Sequence, residues 1–184
     1  MTTTFLLERM ITPLGQMMLA TDEQGRLRVI DWQDHEDNMR RLMRRQYPGT
    51  HIALRETSQA SPAARAMQAY FQGDLAAIDG LEVATGGTDF QRTVWTALRT
   101  IPTGWTISYL DLATRIGRPS AVRAVGLANG ANPISIVVPC HRVIGSNASL
   151  TGYGGGLHRK RWLLEHEKAV PGLRMTSQAT LPGL

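Results

Sequence analysis

The chain has one cysteine, Cys140, and its neighbours are suited to chemistry. It stands in Pro139-Cys140-His141-Arg142-Val143, directly after the apolar run Ile134-Ser135-Ile136-Val137-Val138. A strand-like run ending in a Pro-Cys-His turn would hold a nucleophile rigidly beside a base. A free thiol has a pKa of about 8.5, so only a few per cent is thiolate at neutral pH. Its reaction needs an imidazole, a helix N-terminus or a network that ends in a carboxylate. Neighbours on an extended chain point apart, so His141 serves Cys140 only if the chain turns sharply after Pro139. His166-Glu167 offers a carboxylate of the kind that orients an imidazole in nucleophile–base–orienter sets. The competing reading of Cys140 is an inert buried thiol.

A second group of residues points to nucleic acid. Ser108 caps a helix at 109–116, Gly117-Arg118-Pro119 ends it, and Ser120 caps another at about 121–128, which together form a helix-turn-helix pattern. The second helix reads Ala121-Val122-Arg123-Ala124-Val125-Gly126-Leu127-Ala128-Asn129-Gly130. Major-groove readers carry several long polar side chains, whereas this helix has Arg123 and otherwise small residues. A small-residue helix can press close to a nucleic-acid backbone without reading sequence, and one Arg can fill the place of an extruded base. Tight packing against a neighbouring helix explains the same small residues. Charge agrees with the nucleic-acid reading. Residues 1–87 carry nine Arg against eleven acids, while 88–167 carry nine Arg or Lys against four. Arg suits phosphate forks and base stacking.

The elements that must position these groups fall into two parts. Residues 17–21 and 27–32 read as a hairpin, 37–46 as a helix and 52–54 as an edge strand. Ser61-Pro62 opens a helix to about Phe71. These make a small α/β domain over 1–83, and Ala84-Thr85-Gly86-Gly87-Thr88 reads as a linker. A mostly helical domain follows over 89–170. It opens with a helix capped by Thr88-Asp89-Phe90-Gln91, and it contains the loop Gly152-Tyr153-Gly154-Gly155-Gly156 and a last helix at about 159–167. No Gly-Lys-Thr/Ser follows that loop, so it is not a phosphate loop. Residues 171–184 read as a mobile tail. No apolar stretch approaches the roughly 20 residues of a membrane span, no secretory signal is expected, and one cysteine allows no intrachain disulfide and no cysteine-rich zinc site.

Taken together, Pro139-Cys140-His141-Arg142-Val143, Arg123-Ala124-Val125-Gly126, Asn132-Pro133, Gly152-Tyr153-Gly154-Gly155-Gly156-Leu157 and Trp162-Leu163-Leu164-Glu165-His166-Glu167 resemble the O6-alkylguanine-DNA alkyltransferases. The likeness is to the bacterial single-cysteine, methylated-DNA–protein-cysteine type and covers 84–167 in order. It implies a ribonuclease-H-like α/β N-terminal domain with a small antiparallel sheet, then a helix-turn-helix, winged-helix-like C-terminal domain. It implies irreversible, stoichiometric transfer of an alkyl group from O6-alkylguanine, and from O4-alkylthymine, in double-stranded DNA to Cys140. His141 takes the thiol proton through a water, Glu167 orients His141, Asn132 ties the region together and Tyr109 donates to the departing guanine. Arg123 fills the gap of the flipped nucleotide from a helix in the minor groove, with Tyr109, Ala121, Ala124, Gly126, Ala128, Asn129 and Gly130 beside the DNA. Val143, Tyr153, Gly154 and Gly155 line the base pocket. Many relatives carry Ser at the place of Gly154. The resemblance implies no cofactor, no metal, no membrane and no obligate protein partner for a monomer of the cytoplasm and nucleoid.

Two other classes fit parts of the pattern. A cysteine hydrolase would use Cys140 and a histidine, turn over many times and need no helix-turn-helix. A non-enzymatic binder of alkylated DNA would not need Cys140. A transcription factor fits poorly with so bare a helix.

Overall fold

The computed structural model describes residues 2–169, so the tail expected from Pro171 lies outside the described residues. The chain forms two compact units. The first takes the chain to Arg92 together with Ala131–Val137, and the second takes Thr93–Gly130 and the chain from Val138 on.

In the first unit, β1 (Thr2–Thr12), β2 (Gly15–Thr21) and β3 (Leu27–Trp32) are followed by α1 (Glu36–Gln46), β4 (His51–Glu56) and α2 (Pro62–Phe71). The sheet order is β3-β2-β1-β4. Strands β1 to β3 are antiparallel neighbours, but β4 runs parallel to β1. The expected antiparallel sheet is therefore mixed. The reason is α1, which carries the chain from one sheet edge to the other, so β4 enters in the direction of β1. Phe5, Leu7, Met18, Ala20 and Val29 form a core with Met39 and Met43 of α1. In α2, Ala63, Met67 and Tyr70 are buried at helical spacing, and the Ser61 hydroxyl caps the helix by accepting from the Ala64 N–H at 3.1 Å.

The 84–88 stretch, expected as a linker, is tied down. Leu27 donates to the Glu82 carbonyl, Ala84 to the Leu27 carbonyl and Gly87 to the Gln46 carbonyl. Residues 134–138 are a clearer correction, because they do not form a strand. Ile30 donates to the Pro133 carbonyl and Ser135 to the Ile30 carbonyl, which makes one parallel bridge and ties the segment to β3. The chain then folds tightly. Ile136 has φ 74° with a Val137-to-Ser135 hydrogen bond, a γ-turn of the rare, strained hand. Pro139 has φ −82° and ψ 64° with a Cys140-to-Val138 hydrogen bond, the inverse γ-turn. The side chains of Ile134, Ile136, Val137 and Val138 are buried all the same. The run is apolar because it is interior, not because it is extended.

The second unit holds most of α3 (Asp89–Leu98), then β5 (Ile107–Ser108), α4 (Tyr109–Arg115), α5 (Val122–Gly130), a 3-10 turn over Cys140–Arg142, β6 (Val143–Ile144) and α6 (Leu157–His166). Thr88 and Gln91 cap α3 reciprocally, and Ser108 with Asp111 forms the capping box of α4. The Ala121 N–H closes a turn onto the Arg118 carbonyl, so the helix starts one residue later, at Val122. Strand β6 lies parallel to β5 and anchors the chain just after Cys140. No helix among the described residues is long and apolar enough to cross a membrane.

Candidate active site

Cys140 opens the 3-10 turn and is 5% exposed. The sharp turn that His141 requires is thus present, and the two γ-turns with the 3-10 turn supply it. His141 is fully buried, and its Nε2 lies 3.0 Å from Glu167 Oε1. Arg142 grips the same carboxylate with a fork, Nε to Oε2 at 2.9 Å and Nη2 to Oε1 at 2.8 Å. Its remaining donors reach the Ile101 carbonyl at 2.5 Å and the Thr103 hydroxyl at 3.1 Å. Glu167 follows the last turn of α6 and is 2% exposed, so one buried carboxylate anchors an imidazole and a guanidinium at once.

The protonation states follow from that arrangement. Burial works against the Glu167 carboxylate, but the charges and hydrogen bonds of His141 and Arg142 outweigh it and hold the pKa well below the usual carboxylate range. An ionised carboxylate only accepts, so the proton of neutral His141 sits on Nε2. Burial, opposed by Glu167 and reinforced by the cations Arg142 and Lys160, holds the imidazole below its ordinary value of 6.5. His141 is therefore neutral at neutral pH. Its Nδ1 keeps a basic lone pair, is buried and has no hydrogen-bond partner among the described residues.

Lys160 completes the surroundings. It is fully buried on α6, and its Nζ donates to the Val143 carbonyl at 2.5 Å and the Thr151 carbonyl at 2.8 Å. The Thr151 carbonyl also accepts from Tyr109 OH at 3.2 Å. Burial pulls the Lys160 pKa down to about 8, with Cys140 pulling the other way. The same coupling makes a charged Lys160 favour a Cys140 thiolate. Burial raises the pKa of Tyr109, as does the charge of Cys140, so its phenol stays a donor. Lys160 yields a signed prediction. Between pH 8 and 10.5 the folded chain binds less proton at Lys160 than the unfolded chain does, so stability rises with pH across that window. Lys160→Met removes that contribution, read as a flatter change of the urea midpoint over the same range.

The other sequence-selected residues divide clearly. Tyr109, Val143, Tyr153, Gly154 and Gly155 all belong to the same unit as Cys140. A Cβ placed on Gly154 would meet no atom within 4 Å, so the backbone there has room for a side chain. Asn132 belongs to the first unit, where its side chain accepts from the Ile134 N–H at 3.0 Å. On α5, Arg123, Ala124 and Gly130 are exposed, while Gly126 is half-buried, as is Ala121 just before the helix. Ala128 and Asn129 are 2% and 3% exposed; Trp95 Nε1 donates to the Ala128 carbonyl at 2.9 Å, and the Asn129 side chain is hydrogen-bonded to Tyr109.

Sequence reasoning missed two functional neighbours, Arg142 and Lys160. Arg142 stood inside the Cys140 motif. Lys160 sat within Arg159-Lys160-Arg161, a charge run that reads as solvated, yet Arg159 and Lys160 are both buried. Among the described residues no three His, Cys, Asp or Glu side chains gather as metal ligands would.

The family model described as "6-O-methylguanine DNA methyltransferase, DNA binding domain" matches residues 89–169. The methylated-DNA–protein-cysteine methyltransferase of Salmonella typhimurium is 54% identical over 162 residues, covering 87% of this chain and 94% of that protein. This chain belongs to the methylated-DNA–protein-cysteine methyltransferase family. The Mycobacterium bovis member is 52% identical over 132 residues, covering 72% of this chain and 79% of its own length. The solved structure of Mycobacterium tuberculosis OGT in complex with DNA superposes with a TM-score of 0.69 at 41% identity, over 90% of this chain and 92% of that one. The matched family segment contains Cys140 and the groups around it, His141, Arg142, Lys160 and Glu167. These methyltransferases are thus the frame in which the buried thiol and its carboxylate-anchored imidazole are to be understood.

Proposed function

We propose that this protein repairs double-stranded DNA by moving an alkyl group from O6-alkylguanine, and from O4-alkylthymine, onto Cys140 in a single irreversible turnover. The observation that carries the reading is a buried thiol followed in the same 3-10 turn by a buried, neutral imidazole whose Nε2–H is held by Glu167. The thiol proton passes through a water to His141 Nδ1. The sulfur bonds to the alkyl carbon as the carbon–O6 bond breaks, and the electron pair leaves on the guanine, which takes up a proton with Tyr109 as donor. A thioether and guanine result. Glu167 stabilises the imidazolium that forms, and Arg142 keeps Glu167 in place. The alkyl donor is the damaged base itself, so the reaction requires no cofactor or metal.

A thiol only 5% exposed cannot meet a base stacked in a duplex, so the base must be extruded. We place α5 in the minor groove, with Arg123 in the vacated position and Ala121, Ala124, Gly126 and Gly130 allowing close approach. Val143, Tyr153, Gly154 and Gly155 line the pocket that receives the base. Asn132 fixes the entry to the turns before Cys140 through its bond to Ile134. We read the first unit as ribonuclease-H-like, which its mixed sheet supports, and the second as winged-helix-like around α4 and α5. A lone acceptor thiol persists in a reducing compartment, which points to the cytoplasm, with the protein at the nucleoid when bound.

Arg123→Ala tests the reading. Extrusion costs a few kcal/mol of lost pairing and stacking, and a flat guanidinium in the gap offsets part of it. The variant is expected to transfer from duplex DNA about tenfold or more slowly at limiting protein, a loss of roughly 1.4 kcal/mol. Transfer from the free alkylated base, which leaves no stack, is expected to change far less. Equal losses with both substrates would assign Arg123 a structural role only.

A further inference from the structure

We infer that Leu127 is a second contact of α5 with DNA, an apolar wedge one helical turn beyond Arg123. The inference rests on the proposed repair function and adds a residue that function does not require. On α5 the buried positions are Val125, Ala128 and Asn129. Leu127 stands outside that stripe and is 70% exposed, beside Arg123, Ala124 and Gly130 on the open side. Arg123 and Leu127 are four residues apart, which puts both on one face. Among these four exposed residues, they alone carry side chains longer than a methyl group.

An exposed Leu alone needs no explanation. This one shares with Arg123 a face otherwise reduced to Ala and Gly, where any long side chain limits how closely the helix approaches a partner. The basic character of this half of the chain selects DNA as that partner. Minor-groove binders commonly set apolar side chains such as Leu against base edges or into a base step. Four residues of helix rise about 6 Å, close to two base steps of about 3.4 Å. Leu127 therefore reaches the groove floor beside the site that Arg123 fills and excludes water there. It adds apolar area without neutralising a phosphate.

The experiment is fluorescence anisotropy of wild type, Leu127→Ala and Leu127→Met on an alkylated duplex at several salt concentrations, with thermal unfolding of each protein. Leu127→Ala is expected to weaken binding about five- to tenfold, in line with the loss of most of the side chain from apolar contact. The slope of log affinity against log salt should stay that of the wild type, since no phosphate contact is lost. Leu127→Met should restore most of the affinity, and all three should unfold at the same temperature. Wild-type affinity in Leu127→Ala overturns the inference, and so does a shallower salt slope or a lowered unfolding temperature. The repair reading is scored separately by the wild type. If it bound alkylated duplex without adding an alkyl group to Cys140, that reading would fail whatever Leu127 did.

Discussion

Cys140→Ser is expected to abolish alkyl transfer and to leave DNA binding in place. The serine hydroxyl has a far higher pKa than a thiol and is a much weaker nucleophile at neutral pH, so His141 cannot make up the difference. The substitution adds no bulk at a position only 5% exposed. The acceptor chemistry is therefore removed while the open face of α5 stays as it is. Titration of the variant with an alkylated duplex is expected to show retained binding and an unrepaired base after incubations that exhaust the wild type. A variant that still restored the alkylated base to guanine within the duplex would place the acceptor elsewhere.

Glu167→Gln is expected to damage both folding and reaction. Gln has the shape of Glu without its charge, so the Arg142 fork is left as a buried, uncompensated guanidinium. Removing one partner of a buried ion pair costs about 3–5 kcal/mol, and Arg142, at 5% exposure, cannot turn to solvent for relief. The pH dependence follows in sign. The Glu167 pKa is depressed in the folded state, so its stabilisation is present above the unfolded carboxylate value of about 4.3 and is lost as pH falls below it. The gap in urea midpoint between the wild type and the Glu167→Gln variant is thus expected to be full at pH 7 and to narrow below about pH 4. Transfer should slow about a hundredfold, the scale of a general-base contribution. The loss should appear with duplex and free base alike, because thiol deprotonation is common to both. A loss confined to duplex DNA would contradict the role assigned to Glu167.

The parts of the fold that were legible in sequence are those made by local hydrogen bonds. Ser61, the Thr88–Gln91 pair and Ser108 with Asp111 each close on partners within three residues, so their types and spacing announce the helices they cap. Strand β1 was missed, and the parallel pairing of β4 with it was unreadable because that pairing joins residues as far apart as Thr2 and His51. The 134–138 run shows what hydrophobicity measures. It signalled burial correctly, but the backbone turns tightly within it.

The site divides the same way. Cys140, His141 and Glu167 were readable as residue types with a known division of labour, and their meeting depended on a turn that Pro139 made foreseeable. Lys160 was hidden because a cation between two arginines reads as solvated, and nothing local reveals that two carbonyls await it. On α5, small-residue content was visible but the buried side was not.

In the proposed reaction Cys140 is consumed by the transfer it performs. The most direct test is the intact mass of the protein after incubation with excess O6-methylguanine duplex, followed by peptide mapping and a count of bases repaired. The expected result is one added methyl group per chain, located on the peptide that contains Cys140, and repair that stops at one equivalent. An unmodified chain with repair continuing past one equivalent would contradict this and identify a turning-over cysteine enzyme instead.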